Sequence, residues 1–313
     1  MSDQDNSRDL RGLWDARPPP PWPGGARLAV SLVVNVEEGA ELSVAEGDAV
    51  NEALPEAAQR VEGAPDPCMA SHFAYGTRAG YRRIAEVLTA HGVPATFSTC
   101  GRAAERLPWL MADMTARGFE ASCHGWRWAS HAGMDEVEER AAIARTHAAL
   151  AATTGEAPVG WHTRSASTPA TRRLLVEHGG FLYDSDAYDD DLPRIEQIKG
   201  RPHVVLPYAF DTNDMRFGPG GGFVQAEDFT RYCIGAFERL WHEGATEARM
   251  LSIGLHLRLI GRPGRIAGLE ALLAHMQSRG GVWFATRRAI AEVWRRAAGL
   301  PEWTPVAPPG ASP

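Results

Sequence analysis

The stretch Arg27-Leu28-Ala29-Val30-Ser31-Leu32-Val33-Val34-Asn35-Val36 runs directly into Glu37-Glu38-Gly39. It is apolar along nearly its whole length and shows little alternation. A run of this length and character suits a strand buried on both faces, as in a parallel sheet. Two carboxylates and a glycine at its C-terminal end mark the place where a strand gives way to a polar loop. Before it, residues 16–25 read Ala-Arg-Pro-Pro-Pro-Pro-Trp-Pro-Gly-Gly, which cannot be helical and predicts an extended arm.

After it, residues 40–76 have weak periodicity and predict a long functional loop with little regular structure. A helix follows over 77–91, stopped by Gly92 and Pro94. The pattern then repeats. Strands are predicted over 95–100, 119–123, 158–161, 180–183, 204–208, 250–256 and 281–285. Helices are predicted over 102–117, 135–153, 226–242, 266–279 and 287–296. Another helix, capped by Thr168 with Pro169 at its first position, runs to Gly179. Strands that alternate with helices pair in parallel, because parallel neighbours need crossovers. The fold class is α/β. About eight such units favour a single-domain, distorted (β/α) barrel of seven or eight strands. An open doubly wound sheet is the alternative. The barrel is assigned to 27–298, with an N-terminal arm over 1–26 and a tail over 299–313.

Composition narrows the function. The 313 residues are 44% apolar and 23% charged, with a formal net charge of −7. That balance does not attract nucleic acid, whose phosphates need a basic field. No apolar run reaches the roughly 18 residues of a membrane span. Residues 1–15 are polar and lack the apolar core of a secretory signal. The four cysteines, Cys68, Cys100, Cys123 and Cys233, form no C-x-x-C pair. Free thiols and a cytoplasmic location are therefore expected. No G-x-G-x-x-G follows the first strand, and the glycines at 218–222 lack the Lys-Ser/Thr of a phosphate loop. They read as a flexible lid.

In a barrel of this kind, chemistry gathers at the C-terminal strand ends. Those ends carry Asn35, Glu37 and Glu38; His124, Trp126, Arg127 and Trp128; Trp161, His162 and Arg164; Asp184 and Asp186; Tyr208 leading to Asp211, Asn213, Asp214 and Arg216; and His256 and Arg258. A single His after a strand is usually structural, and two adjacent Glu usually mark a solvated face. Two His and a carboxylate pair at three strand ends favour an active site. Asp189-Asp190-Asp191 reads as a solvated acidic loop. The tryptophans suit either core or the wall of a pocket for a planar ligand.

These strand ends resemble the polysaccharide deacetylase superfamily over roughly residues 27–296. The resemblance rests on Val36-Glu37-Glu38-Gly39, Ser122-Cys123-His124-Gly125 and Ile253-Gly254-Leu255-His256. Within the superfamily, the stretches 35–39, 75–80, 180–186, 211–217 and 254–265 are most similar to allantoinases that work without metal and to related cyclic imide hydrolases. The resemblance implies a hydrolase that cleaves a C–N amide bond of a small molecule by opening a cyclic ureide or imide. The alternatives are a deacetylase of N-acetylated sugars, with or without a metal, and a non-catalytic small-molecule binding protein. It also implies a homo-oligomer, and the proline arm at 18–23 is a segment that can reach a neighbour.

The resemblance further assigns Glu37 as base. His256 is expected to be the acid for the leaving nitrogen, and His124 to orient water or polarise the carbonyl. Glu38 completes the catalytic set, and one of the two adjacent carboxylates is expected to have a raised pKa. Trp128, Trp161, Asn213, Asp214, Arg216 and Arg258 are the expected substrate-binding residues. Metal-dependent members resemble one another in an Asp-His-His set with the two His four residues apart. Here the fourth residue after His124 is Trp128, which cannot ligate. No cofactor is therefore expected. A divalent ion such as zinc would have only Glu38 and His124, with His131 as a distant substitute, where three protein ligands are usual. The stretch Trp161-His162-Thr163-Arg164-Ser165 departs from the allantoinases, so allantoin itself does not carry over.

Overall fold

The computed structural model describes residues 9–13, 17–54, 56–57, 59–164 and 166–306. Much of the predicted arm (1–8 and 14–16), the end of the tail (307–313) and Ser165 lie outside the described residues. The remainder forms one curled α/β sheet with helices outside it. Strand β1 spans Leu28–Val36 and is buried along all nine residues. At roughly 1.5–3 kcal/mol for each of its six buried Val and Leu side chains, burial of this strand about matches the ~1–2 kcal/mol per residue needed to fix its backbone.

Eight further strands complete the sheet, numbered in chain order: β2 Thr96–Thr99, β3 Glu120–Cys123, β4 Gly160–Trp161, β5 Tyr183–Asp184, β6 Arg194–Ile198, β7 Arg201–Val205, β8 Met250–His256 and β9 Val282–Phe284. One edge of β1 bonds β8 in parallel over 29–35. Its other edge is shared, with residues 28–30 bonding β9 and 33–36 bonding β2. The order then runs β2-β3-β4-β5-β7, all parallel, and ends in β6, which is antiparallel to β7.

The helices are α1 Pro67–Tyr75, α2 Tyr81–Ala90, α3 Gly101–Arg106, α4 Pro108–Ala116, α5 Glu136–Thr154, α6 Thr171–His178, α7 Ala226–Glu243, α8 Pro263–Arg279 and α9 Arg287–Ala297.

Four departures from the sequence reading have local causes. The loop expected over 40–76 ends early. Asp66 caps α1, accepting from the Met69 N–H at 3.0 Å, and Pro67 opens the helix. A π-helical turn, Gly76–Gly80, then joins α1 to α2. The single helix expected over 102–117 breaks at Leu107, because Pro108 has no N–H to continue it. Strand β6 carries no apolar signature, because its residues, Arg-Ile-Glu-Gln-Ile, are half-exposed and partly charged. It joins β7 through Lys199-Gly200, both at positive φ. Finally, the described part of the proline arm packs back on its own chain. Trp22 is buried against Trp283 and Trp294, and the Ala248 N–H donates to the Pro18 carbonyl at 2.7 Å.

Among the described residues no strand ladder joins β7 to β8. The chain 206–213 runs between them, with one β-bridge from Asn213 to Gly254. Buried carbonyls along such a seam need other donors. The fully buried Arg287 supplies them. Its guanidinium bonds the carbonyls of Leu206 and Pro207 and the hydroxyls of Ser185 and Ser252.

Candidate active site

A cavity of about 590 Å³ opens at the C-terminal ends of the strands. That is within the usual range for small-molecule sites. Asn35 and Glu37 follow or end β1, His124 follows β3, His162 and Arg164 follow β4, Tyr208 and Asn213 lie on the seam, and His256 ends β8; all line this cavity. Trp128, Tyr188, Phe210 and Met215 form much of its apolar wall, with Leu42, Ala53 and Leu54 from the loop after β1.

That loop is tied down by charge. Glu46 pairs with Arg102 and Arg106, Asp48 with Arg127, and Glu52 with Arg164. Arg164 is thus committed. It bonds both Glu52 oxygens and the Trp128 carbonyl, and its guanidinium lies 3.5 Å from the centre of the Trp128 ring.

Glu37 stands at the centre of the polar wall. Its Oε1 is 3.3 Å from His256 Nε2 and 3.6 Å from His124 Nε2. Both imidazoles are held from behind. His124 Nδ1 lies 2.6 Å from the His162 carbonyl, which can only accept, so Nδ1 carries a proton and Nε2 faces Glu37. His256 Nδ1 lies 2.6 Å from Asp214 Oδ1. The other Asp214 oxygen accepts the backbone N–H groups of His256 and Ile260. Asp214 is fully buried and absent from the cavity wall, so its place is behind His256 and not against a ligand.

Glu38 turns the other way. Its Oε2 accepts the Glu37 N–H, and its carboxylate occupies space that only a glycine at 76 leaves open: a Cβ there would sit 2.1 Å from Oε1. Gly80 is required similarly, because a Cβ would meet the Leu257 carbonyl at 1.9 Å. The π-helical turn between them lets the helix pass this close to two strand ends.

Arg258 lies beside both carboxylates, with Nη1 2.6 Å from Glu37 Oε2 and 3.6 Å from Glu38 Oε1. The contact with Glu37 is a buried ion pair in which each charge favours the other. The guanidinium also lies near the faces of Phe73 and Trp128.

Burial opposes charge on Glu37, yet the Arg258 and His256 charges and the two His contacts hold it well below the usual carboxylate range. For Glu38, burial dominates, and with the Glu37 charge it outweighs Arg258; this carboxyl is pushed up to about 7. Of the adjacent pair, it is thus Glu38 that rises. Burial would favour neutral His256, but Glu37 and Asp214 more than offset it and push the ring up to about 9. Burial, helped by nearby His124 and Arg287, holds His162 well below the ordinary imidazole range. At neutral pH the wall therefore presents a carboxylate, an imidazolium and a neutral imidazole.

Several expected residues lie elsewhere. Trp161 is fully buried, bonded to Thr163 and packed against His131 and Phe181, away from the cavity. Arg216 bonds the carbonyls of Gly221 and Asp211 and lies over Phe223 and Tyr232. Arg258 meets carboxylates, not the cavity. His131 Nδ1 is engaged by Glu139 in a buried network with Thr168 and Thr171. Tyr188, Phe210 and the loop residues 42, 53 and 54 gave no sequence signal of a role. Tyr208 and Asn35 were visible only as strand-end polar groups.

The donor set does not fit a divalent ion. Glu38 is turned toward Gly76, Trp128 stands in the position of a second His, and the cation beside the two carboxylates is Arg258. Among the described residues no group of three or more His, Cys, Asp or Glu is arranged to hold a metal.

Comparison with known proteins agrees with this architecture. The polysaccharide deacetylase family model matches residues 62–183. A Schizosaccharomyces pombe protein named "Putative polysaccharide deacetylase" is 36% identical over 295 residues, covering 88% of this chain and 92% of its own. The crystal structure of Puue allantoinase superposes with a TM-score of 0.90 at 44% identity, covering 93% of this chain and 98% of that one. A "probable Polysaccharide deacetylase" from Pseudomonas aeruginosa PAO1 superposes with a TM-score of 0.89 at 46% identity, covering 92% and 98%. Fold and site thus define a hydrolase of the class that acts on carbon–nitrogen bonds other than peptide bonds. The chain belongs to the polysaccharide deacetylase family.

Proposed function

We propose that this protein opens the ring of a small cyclic ureide or imide by hydrolysing its C–N amide bond, with no metal ion. The observation that carries the reading is the position of Glu37 Oε1 within 3.3 Å of His256 Nε2 while Arg258 stands behind the carboxylates as a resident cation. Glu37 takes a proton from water, and the water oxygen attacks the carbonyl carbon. His256 gives its Nε2 proton to the departing nitrogen. The two steps support each other. The imidazolium depresses Glu37 while it is charged, so its loss of a proton raises Glu37's affinity for one. Afterwards Glu37 returns the proton to His256 across their direct contact.

Two further observations support a small ring over a polymer. The loop after β1 is tied over the strand ends by three acidic residues, and its Leu42, Ala53 and Leu54 narrow the cavity. The 44% identical Puue allantoinase structure supports the same substrate class. The second reading, deacetylation of an N-acetylated sugar, is favoured by the names of the fission yeast and Pseudomonas relatives. It would use the same acid–base pair. Among the described residues no helix is long and apolar enough to cross a membrane. The free cysteines support a cytoplasmic location, and the resemblance supports a homo-oligomer.

The deciding experiment is a hydrolysis screen of hydantoins, cyclic ureides, cyclic imides and N-acetyl sugars, with and without chelator. Ring opening that persists in chelator and vanishes in Glu37→Gln is the expected result. Turnover of N-acetyl sugars alone would replace the first reading by the second.

A further inference from the structure

The hydroxyl of Tyr208 has its hydrogen-bond partners arranged in an unusual way. Asn35 Nδ2 donates to it at 3.1 Å and Asn213 Nδ2 at 3.3 Å. Neither amide can be turned over. Asn35 Nδ2 also donates to the Leu255 carbonyl, and Asn213 Oδ1 also accepts the Met215 N–H. The tyrosine oxygen therefore accepts twice, which uses both its lone pairs. Its own proton must point elsewhere, and no acceptor among the described residues takes it. Tyr208 is 5% exposed, its ring packs against His162, and it lines the same cavity as Glu37 and His256. A buried O–H aimed at a cavity is a donor waiting for a ligand acceptor.

We propose that Tyr208 is a further catalytic residue, whose O–H donates to the carbonyl oxygen of the bond being cut and holds the oxyanion that forms there. The inference rests on the amide-hydrolase reading above. As the water oxygen bonds to carbon, the carbonyl π pair moves onto oxygen and strengthens the hydrogen bond from Tyr208, which keeps its proton. The pair then returns, the C–N bond breaks, and the nitrogen takes the proton of His256. Two fixed amides orient the donor in advance, which is the condition for an oxyanion site to be effective. Burial holds the phenol protonated over the working range.

The test compares wild type with Tyr208→Phe in two measurements, after a thermal melt shows that the variant folds. The first is kcat and KM on the best ring substrate of the screen. The second is the affinity of a cyclic phosphonamidate that mimics the tetrahedral intermediate. We expect kcat to fall roughly 10²–10³-fold with little change in KM, and affinity for the mimic to fall by a similar factor. A kcat within about threefold of wild type, or a kcat loss with unchanged affinity for the mimic, overturns the proposal. Should Tyr208→Phe fail to fold, 3-fluorotyrosine at 208 keeps both accepted bonds and is a stronger hydrogen-bond donor. Affinity for the mimic at neutral pH should then rise, and an unchanged affinity overturns the proposal. If wild type hydrolyses nothing in the screen, the substrate reading fails, while the mimic still decides on Tyr208: no binding to wild type, or equal binding to both, counts against it.

Discussion

Asp214 Oδ1 lies 2.6 Å from Nδ1 of His256, and its other oxygen is locked by two backbone N–H groups. The aspartate thus holds the imidazole in one orientation, with Nε2 turned to Glu37, and favours its protonated form. A protonated His256 is what an acid for the leaving nitrogen requires. Activity is therefore expected to be lost as pH rises through about 9. Asp214→Asn removes one of the two charges that raise His256. Its kcat should fall roughly 10²-fold or more, and the upper limb of the pH profile should move down by about a unit or more. An upper limb unmoved in the variant would show that His256 is not the titrating acid.

Glu38 has a folded-state pKa near 7, above its ordinary 4.5. A carboxyl raised on folding favours the native state at low pH, and that contribution is lost as pH rises through the folded value. Glu38→Gln keeps the shape and cannot ionise. The variant should match wild type in stability at about pH 4 and below and exceed it at pH 8 by up to ~3 kcal/mol. Urea unfolding at the two pH values measures this. Equal stability differences at both would mean that folding does not raise the Glu38 pKa.

Arg258 is the cation beside two buried carboxylates. Arg258→Met should cost about 3–5 kcal/mol, because it leaves a buried charge without its partner. Combining it with Trp128→His removes the resident cation and adds a ligand four residues from His124. That double variant should gain zinc, counted by mass spectrometry of the native protein, whereas wild type should hold far less than one equivalent. Stoichiometric zinc in wild type, with activity lost to chelator, would overturn the metal-free reading.

Glu52 is joined to Arg164, whose guanidinium covers Trp128 at the cavity wall. Glu52→Gln should loosen the loop after β1 and raise KM more than it lowers kcat. Such a partly exposed pair contributes about 1 kcal/mol, so stability should change little. Steady-state kinetics at low and high salt check this: the gap between variant and wild type should narrow as salt screens the native pair.

The parallel α/β sheet and the placing of Glu37, His124 and His256 at strand ends were legible in the chain itself. Apolar strand-length runs, helix caps and stops are local signals, and side chains that end parallel strands necessarily share one end of the sheet. The start of α1 was nearly legible too, since Asp66-Pro67 is a cap followed by proline. Strand β6 was not, because a half-exposed edge strand with charged residues carries no apolar signature.

For Glu37-Glu38, adjacency alone shows two carboxylates that repel and predicts that one rises. Only the tertiary structure decided which. Glu37 faces the cavity between two imidazoles, and Glu38 turns back toward Gly76 and Arg258. The same holds for the other roles. Trp161 went to the core, Asp214 went behind His256, Arg258 met the carboxylates, and Tyr208 came to the cavity with its proton unclaimed. The reason is physical. Periodicity and propensity act over a few residues and determine elements and strand ends. The direction of a buried polar side chain is set by partners roughly 40 to 220 positions away, such as Asp214 for His256 and Tyr208 for Asn35, and by how much water is left beside it.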